Sequence, residues 1–186
     1  MKTQTIPIIF LLALGMAPLF SGAQLEKAEF QASGLTCSMC SNAINKALRT
    51  IPFVASVTTD LNKNLFEIAF KKNMPVDIDL IKKKVKDAGF SIASFWIIEN
   101  IQGLPVDNDR HLAIDGLEFH FIQVKPQILH GENRLRVIDR DFLGSKEFKK
   151  FSALTAMPCY QTGMMAGCCK SHGGQSQSGR IYHVTI

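Results

Sequence analysis

Gly34-Leu35-Thr36-Cys37-Ser38-Met39-Cys40 decides how the chain is read. It offers a glycine for a tight backbone approach, a threonine, and two cysteines three positions apart. Directly after it, Ala43, Ile44, Ala47, Leu48 and Ile51 recur at helical spacing, which predicts an amphipathic helix starting near Met39. Cys37 then lies on the preceding loop and Cys40 in the first turn. Both sulfurs sit where a helix start exposes free N–H groups and the positive end of its dipole. Such an environment favours the thiolate, the form that binds metal. Two thiolates suit a soft ion, Cu(I) first.

The flanking stretches supply a sheet. Lys27 to Ala32 reads as a strand with Ala28, Phe30 and Ala32 on one face. Val57, Thr59 and Leu61 alternate, as do Phe66, Ile68 and Phe70, with Asn62-Lys63-Asn64 between them, which predicts a hairpin. Asp77 is the expected N-cap of a second helix, with Ile78, Ile81, Val85 and Ala88 inward and Gly89 as its stop. Lys82, Lys83, Lys84 and Lys86 form its wet side. Phe90 to Ile98 closes the unit as a strand. The order β-α-β-β-α-β is the split βαβ, ferredoxin-like motif, and the fold class is α+β.

From Leu25 to about Phe95 the chain resembles the heavy-metal-associated domain family of copper chaperones, copper-ATPase N-terminal modules and the periplasmic mercury carrier. The matching residues are Gly34, Thr36, Cys37, Cys40, Val54 and Val57, and Ala88-Gly89-Phe90 before the last strand. The resemblance implies that Cys37 and Cys40 hold the metal and that Phe90 packs near them. Leu35 stands where methionine is common, Phe53 where glycine is usual, and Phe90 where some cytosolic chaperones carry lysine. Met39, between the cysteines, adds a soft thioether. Hg(II), Ag(I) and Zn(II) are alternatives to Cu(I), zinc the weakest because its structural sites want four ligands.

A C-x-x-C at a helix start also occurs in thioredoxin-type proteins. That makes an exported thiol–disulfide oxidoreductase the second reading and a metal-responsive interaction module the third. The tryptophan-glycine context of the oxidoreductases is missing from the sequence, so a non-enzymatic carrier stands first.

Residues 1–23 read as a secretory signal peptide: Lys2, an apolar run from Ile6 to Leu14, and small residues Ser21-Gly22-Ala23. A periplasmic or secreted location follows, without stable membrane insertion after cleavage. The formal net charge is +5, of which Lys2 supplies one. No arginine or lysine stripe interleaves with aromatics, so nucleic acid is not an expected partner. The lysines of the second helix are a solvated face, or a dock for an acidic partner such as a metal-transporting ATPase or other metal-accepting protein.

Residues 24–98 thus form the ferredoxin-like domain, and polar residues 99–110 a linker. Residues 111–186 read as a small β-rich domain with an oligonucleotide/oligosaccharide-binding (OB) barrel as its fold analogy. Its strands are expected at Leu117–Phe121, Leu135–Val137 and Ile181–Ile186. His130-Gly131-Glu132-Asn133 is expected as a turn, and Ser145 to Phe151 as one or two helical turns. A loop at 157–172 gathers Cys159, Cys168, Cys169 and His172 among methionines. These four are candidates for a second soft-metal site; the competing reading joins Cys159 to one of the vicinal cysteines as a staple. Met164 and Met165 are equally loop packing or thioether donors. His111, His120, His130 and His183 have no partners nearby in sequence and read as ordinary surface or core residues.

Overall fold

The computed structural model of the protein describes residues 25–35, 38–170 and 179–186, apart from the side chains of Cys168 and Lys170. The expected signal segment 1–23 lies outside them. The first half follows the expected order: β1 (Lys27–Ser33), α1 (Ser38–Arg49), β2 (Val54–Asp60), β3 (Leu65–Phe70), α2 (Ile78–Asp87) and β4 (Ser91–Val106). Local chemistry explains the boundaries. Asn64, at φ 49°, turns the hairpin between β2 and β3. The Asp77 carboxylate accepts the Leu80 N–H at 3.0 Å and caps α2. Gly89, at φ +89°, ends that helix in a conformation that side chains resist.

The inward face of this unit is aromatic. Phe30 stacks on Phe66 at 4.8 Å and lies 6.2 Å from Phe95. Ile44 and Leu48 of α1 and Ile78, Ile81 and Val85 of α2 are buried in the same core as these rings.

β4 does not stop at Ile98. It continues to Val106 through residues expected to be a linker, hydrogen-bonded to β1 on one side and to β7 (Gln127–Val137) on the other. Its polar residues look like a loop in sequence, but an antiparallel ladder keeps one face wet and tolerates them there. A register shift between Gln102 and Leu104, at Gly103 (φ +72°), lets the strand continue. His130 to Asn133, expected as a turn, lies within β7, where Gly131 pairs with Ile101.

The remaining elements are β5 (Arg110–Ile114), β6 (Leu117–Phe121), a 3-10 turn at Arg140–Phe142, α3 (Ser145–Ser152), α4 (Cys159–Thr162), α5 (Gly167–Lys170) and β8 (Ile181–Thr185). The strands form one sheet in the order β2-β3-β1-β4-β7-β8-β6-β5. The C-terminal strands therefore lengthen the ferredoxin-like sheet, in place of the separate unit with a partial OB-type barrel suggested by analogy. β6 and β8 run parallel in its interior and are covered on both faces. That is why Glu118 and His120, which alternation places outward, are buried. Among the described residues no helix is long and apolar enough to cross a membrane.

A polar seam ties the two halves. Arg180 reaches Asp79 of α2 at 2.7 Å and Asp139 at 2.6 Å, with its guanidinium over the Tyr182 ring. Lys82 bonds Asp79 at 2.8 Å and Asp141 at 3.1 Å, so it is not simply solvated. Burial pushes the Asp79 carboxyl up, but Arg180 and Lys82 outweigh it and hold the group below its ordinary value.

Two outcomes are expected. Phe30→Ala removes a fully buried ring and should destabilise the fold by about 3–5 kcal/mol in denaturant unfolding; a loss under ~1 kcal/mol would show that the stack is not central. The second concerns Glu99, which is 1% exposed with neither carboxylate oxygen hydrogen-bonded. Burial, then the charges of Asp115 and Glu26, raise its pKa from 4.5 to about 7. A raised folded-state pKa contributes stability that is present below pH 4.5 and lost as pH rises through about 7. Unfolding free energies across that window should fall more for the parent than for Glu99→Gln, and parallel profiles would refute the assignment.

Candidate metal centre

At the end of β1, Gly34 takes φ +82° and turns the chain towards α1. Leu35 packs partly buried against the core, as expected for the position where methionine is common. Ser38 begins α1, so Cys40 falls in its first turn and is half-buried. Met39 is 81% exposed and points away from the core. Thr36 and Cys37 lie outside the described residues. One of the two expected thiols is thus positioned at a helix start with its outward N–H groups.

Phe90 is half-buried against the core just after Gly89. It lines a cleft of about 1090 Å³ together with Ser33, the residue that leads into the Gly34 loop. The Ser33 and Ser91 hydroxyls lie 2.7 Å apart and join the end of β1 to the start of β4 there. Among the described residues, Lys82, Lys83, Lys86 and Arg140 line the same cleft with a single carboxylate, Asp141, which leaves the wall net cationic.

Of the four residues expected to form a second site, Cys159 and Cys169 enter one buried cluster with Met165 and Ile181, and Met157 packs on it. The Cys168 side chain and His172 lie outside the described residues. The Cys169 sulfur accepts the Ala166 N–H at 3.4 Å. Cys159, the first residue of α4, also faces two histidines from outside that loop. Its Sγ is 3.7 Å from His111 Nε2 and 3.7 Å from His120 Nδ1. All three residues are buried, and their donor atoms lie within 4.8 Å of one another.

The strands explain this convergence. His111 of β5 is registered opposite His120 of β6, which is registered opposite His183 of β8. In sequence none of these histidines has a partner close in the chain, so none reads as a ligand. Asp115-Gly116 was the available signal. Both residues have positive φ, and this dipeptide is a strong mark of a two-residue hairpin turn. Pairing outward from Ile114 and Leu117 places His111 against His120.

Ring orientation is fixed too. His120 Nε2 is 3.0 Å from Asp109 Oδ1. A carboxylate can only accept, so Nε2 donates and the Nδ1 lone pair faces Cys159. Burial, followed by the neighbouring His183 and His111, drives the His120 pKa down to about 3, so the ring is neutral near pH 7. His183 Nδ1 in turn bonds Asp139 Oδ1.

Comparison with known proteins bears on the first of these two sites. Residues 29–91 match the model of the heavy-metal-associated domain. The chain is 36% identical over 64 residues to copper-transporting ATPase 1 of Rhizobium meliloti, covering 34% of this chain and 8% of the ATPase. It is 30% identical over 59 residues to the copper chaperone CopZ of Staphylococcus haemolyticus, covering 32% of this chain and 85% of the chaperone. The solved yeast copper transporter domain CCC2A aligns at 31% identity and a TM-score of 0.32, covering 35% of this chain and 88% of that domain. The chain spans between 6% and 8% of the length of the copper ATPases it matches. With the greater part of a chaperone aligned to its first half, the chain belongs to the heavy-metal-associated domain family.

Proposed function

We propose that the chain is an exported soft-metal carrier that holds Cu(I) between Cys37 and Cys40 and passes it on by ligand exchange. The observation that supports this most is Cys40 in the first turn of α1, behind the Gly34 turn and inside the stretch matched to the family. The relatives named for copper transport make Cu(I) the first ion to test.

The chemistry needs no redox step. Two thiolates hold Cu(I) in near-linear geometry and leave its flanks open. A thiolate of the accepting protein adds to the ion, giving a three-sulfur intermediate. One of the original cysteines then leaves, a second acceptor thiolate displaces the other, and both released cysteines recover protons from solvent. A bis-thiolate Cu(I) unit carries one negative charge. The N-terminal end of α1 offsets part of it, where some chaperones use a lysine in the place of Phe90. The cationic wall of the neighbouring cleft gives an acidic acceptor, such as an ATPase metal domain, a surface to approach.

Competition against a Cu(I) chelator under reducing conditions tests the reading. Relative to the parent, Cys37→Ser/Cys40→Ser should lose one tightly held Cu(I). Equal stoichiometry and affinity in the two proteins would overturn it.

A further inference from the structure

We propose that His111 Nε2, His120 Nδ1 and Cys159 Sγ form a second, buried copper site, independent of Cys37 and Cys40. The geometry comes first. A metal–sulfur bond of ~2.3 Å and a metal–nitrogen bond of ~2.0 Å at a trigonal angle separate sulfur and nitrogen by about 3.7 Å. Both sulfur–nitrogen distances here are 3.7 Å. The His111 and His120 rings stack with centroids 4.3 Å apart and planes 19° from parallel, so the His111 ring must turn about its side-chain bonds for both lone pairs to meet one ion, while the strand register is kept.

The surroundings are those of a ligand set. A metal-binding histidine characteristically donates its other ring N–H to a carboxylate, which fixes its tautomer and direction. Asp109 does this for His120 at 3.0 Å. The three donors come from β5, β6 and α4, so neither chain proximity nor one helix face explains their meeting. One thiolate and two neutral imidazoles around Cu(I) carry no net charge, which suits a site where all three side chains are buried. Zn(II) in the same place would leave a positive charge and want a fourth ligand. Two imidazoles with one thiolate in trigonal array is a copper donor set, and the sulfur-rich packing around Cys159, with Met165 and Cys169, is soft as well. Binding releases the Cys159 thiol proton to solvent and changes no oxidation state.

Burial gives this ion a different role from cargo. An incoming thiol cannot reach it without local opening, so the site retains its copper while the α1 site exchanges.

The test uses the reduced, metal-free full chain carrying Cys37→Ser and Cys40→Ser, loaded anaerobically with Cu(I) and desalted. One copper per chain should remain, and X-ray absorption should show one sulfur and two nitrogen neighbours. His111→Gln or Cys159→Ser added to that background should abolish retention, with far-UV circular dichroism confirming the fold. Asp109→Asn, which touches no metal, should weaken retention about tenfold or more. No copper in the parent background overturns the site. So does copper that survives His111→Gln, an all-sulfur shell from the neighbouring cysteines, or preferential retention of Zn(II). If both added variants unfold, the absorption spectrum of the background protein decides alone. Cys37 and Cys40 are absent throughout, so failure here leaves the carrier reading standing.

Discussion

One strand carries the architecture. β4 runs sixteen residues, and its backbone groups bond to β1 on one side and β7 on the other. A ferredoxin-like unit of this family would end its sheet at that strand. Here the edge is occupied: β7 pairs with β4 from Phe95↔Val137 to Val106↔Gln127. An open edge invites unwanted pairing, and covering it with the chain's own residues joins the C-terminal half to the first as one sheet. The buried aromatic stack of Phe30, Phe66 and Phe95 lies beneath the start of this ladder, and Phe95 also meets Phe142 edge-on at 5.4 Å. The core therefore crosses the boundary that composition alone suggests.

How much of this was legible in sequence follows from where the information lies. Strongly periodic elements with chemical punctuation could be read: α2 between Asp77 and Gly89, the β2–β3 hairpin, the Phe30 face, and the short α3. Each is decided by residues within a few positions. What escaped was decided by distant partners. Glu99 to Val106 and His130 to Asn133 carry polar and turn-forming residues, and they are strands because each supplies the other with a ladder. His120 and Glu118 alternate with apolar residues like an outward face, yet both are buried, His120 against Cys159 of α4. Lys82 reads as solvated but is drawn into the seam by Asp79 and Asp141. At the candidate sites the same division holds. The position of Cys40 in α1 was visible from local spacing, whereas the histidines facing Cys159 required the register set by Asp115-Gly116.

The two sulfur environments differ in the way their proposed tasks require. Cys40 sits half-buried in the first turn of α1, beside the largely exposed Met39 and after the Gly34 turn. A cation there can be approached by another protein. Cys159 is enclosed by β5, β6 and the short C-terminal helices, with an ordered outer carboxylate behind one histidine. Enclosure raises the barrier to exchange, and the second set of hydrogen bonds raises the cost of ring rotation. Neither arrangement could serve the other task without rebuilding its surroundings.

Asp139 shows how the histidine row is held to the first half of the chain. One of its carboxylate oxygens bonds His183 and the other takes Arg180, whose guanidinium also reaches Asp79 of α2. Tyr182 adds a hydrogen bond to the same Asp79 oxygen at 3.2 Å. Burying such a network contributes little net stability, because desolvation offsets most of the attraction between charges. Its value is directional. Each planar group accepts its partners in a narrow range of angles, so β8 cannot slide along β6 without breaking bonds to α2. The register that sets His120 opposite His183 is thereby tied to a helix whose other face packs on the family's own core. A sheet extended past its usual edge needs such a clamp, since β-pairing alone, repeating every two residues, would accept more than one register.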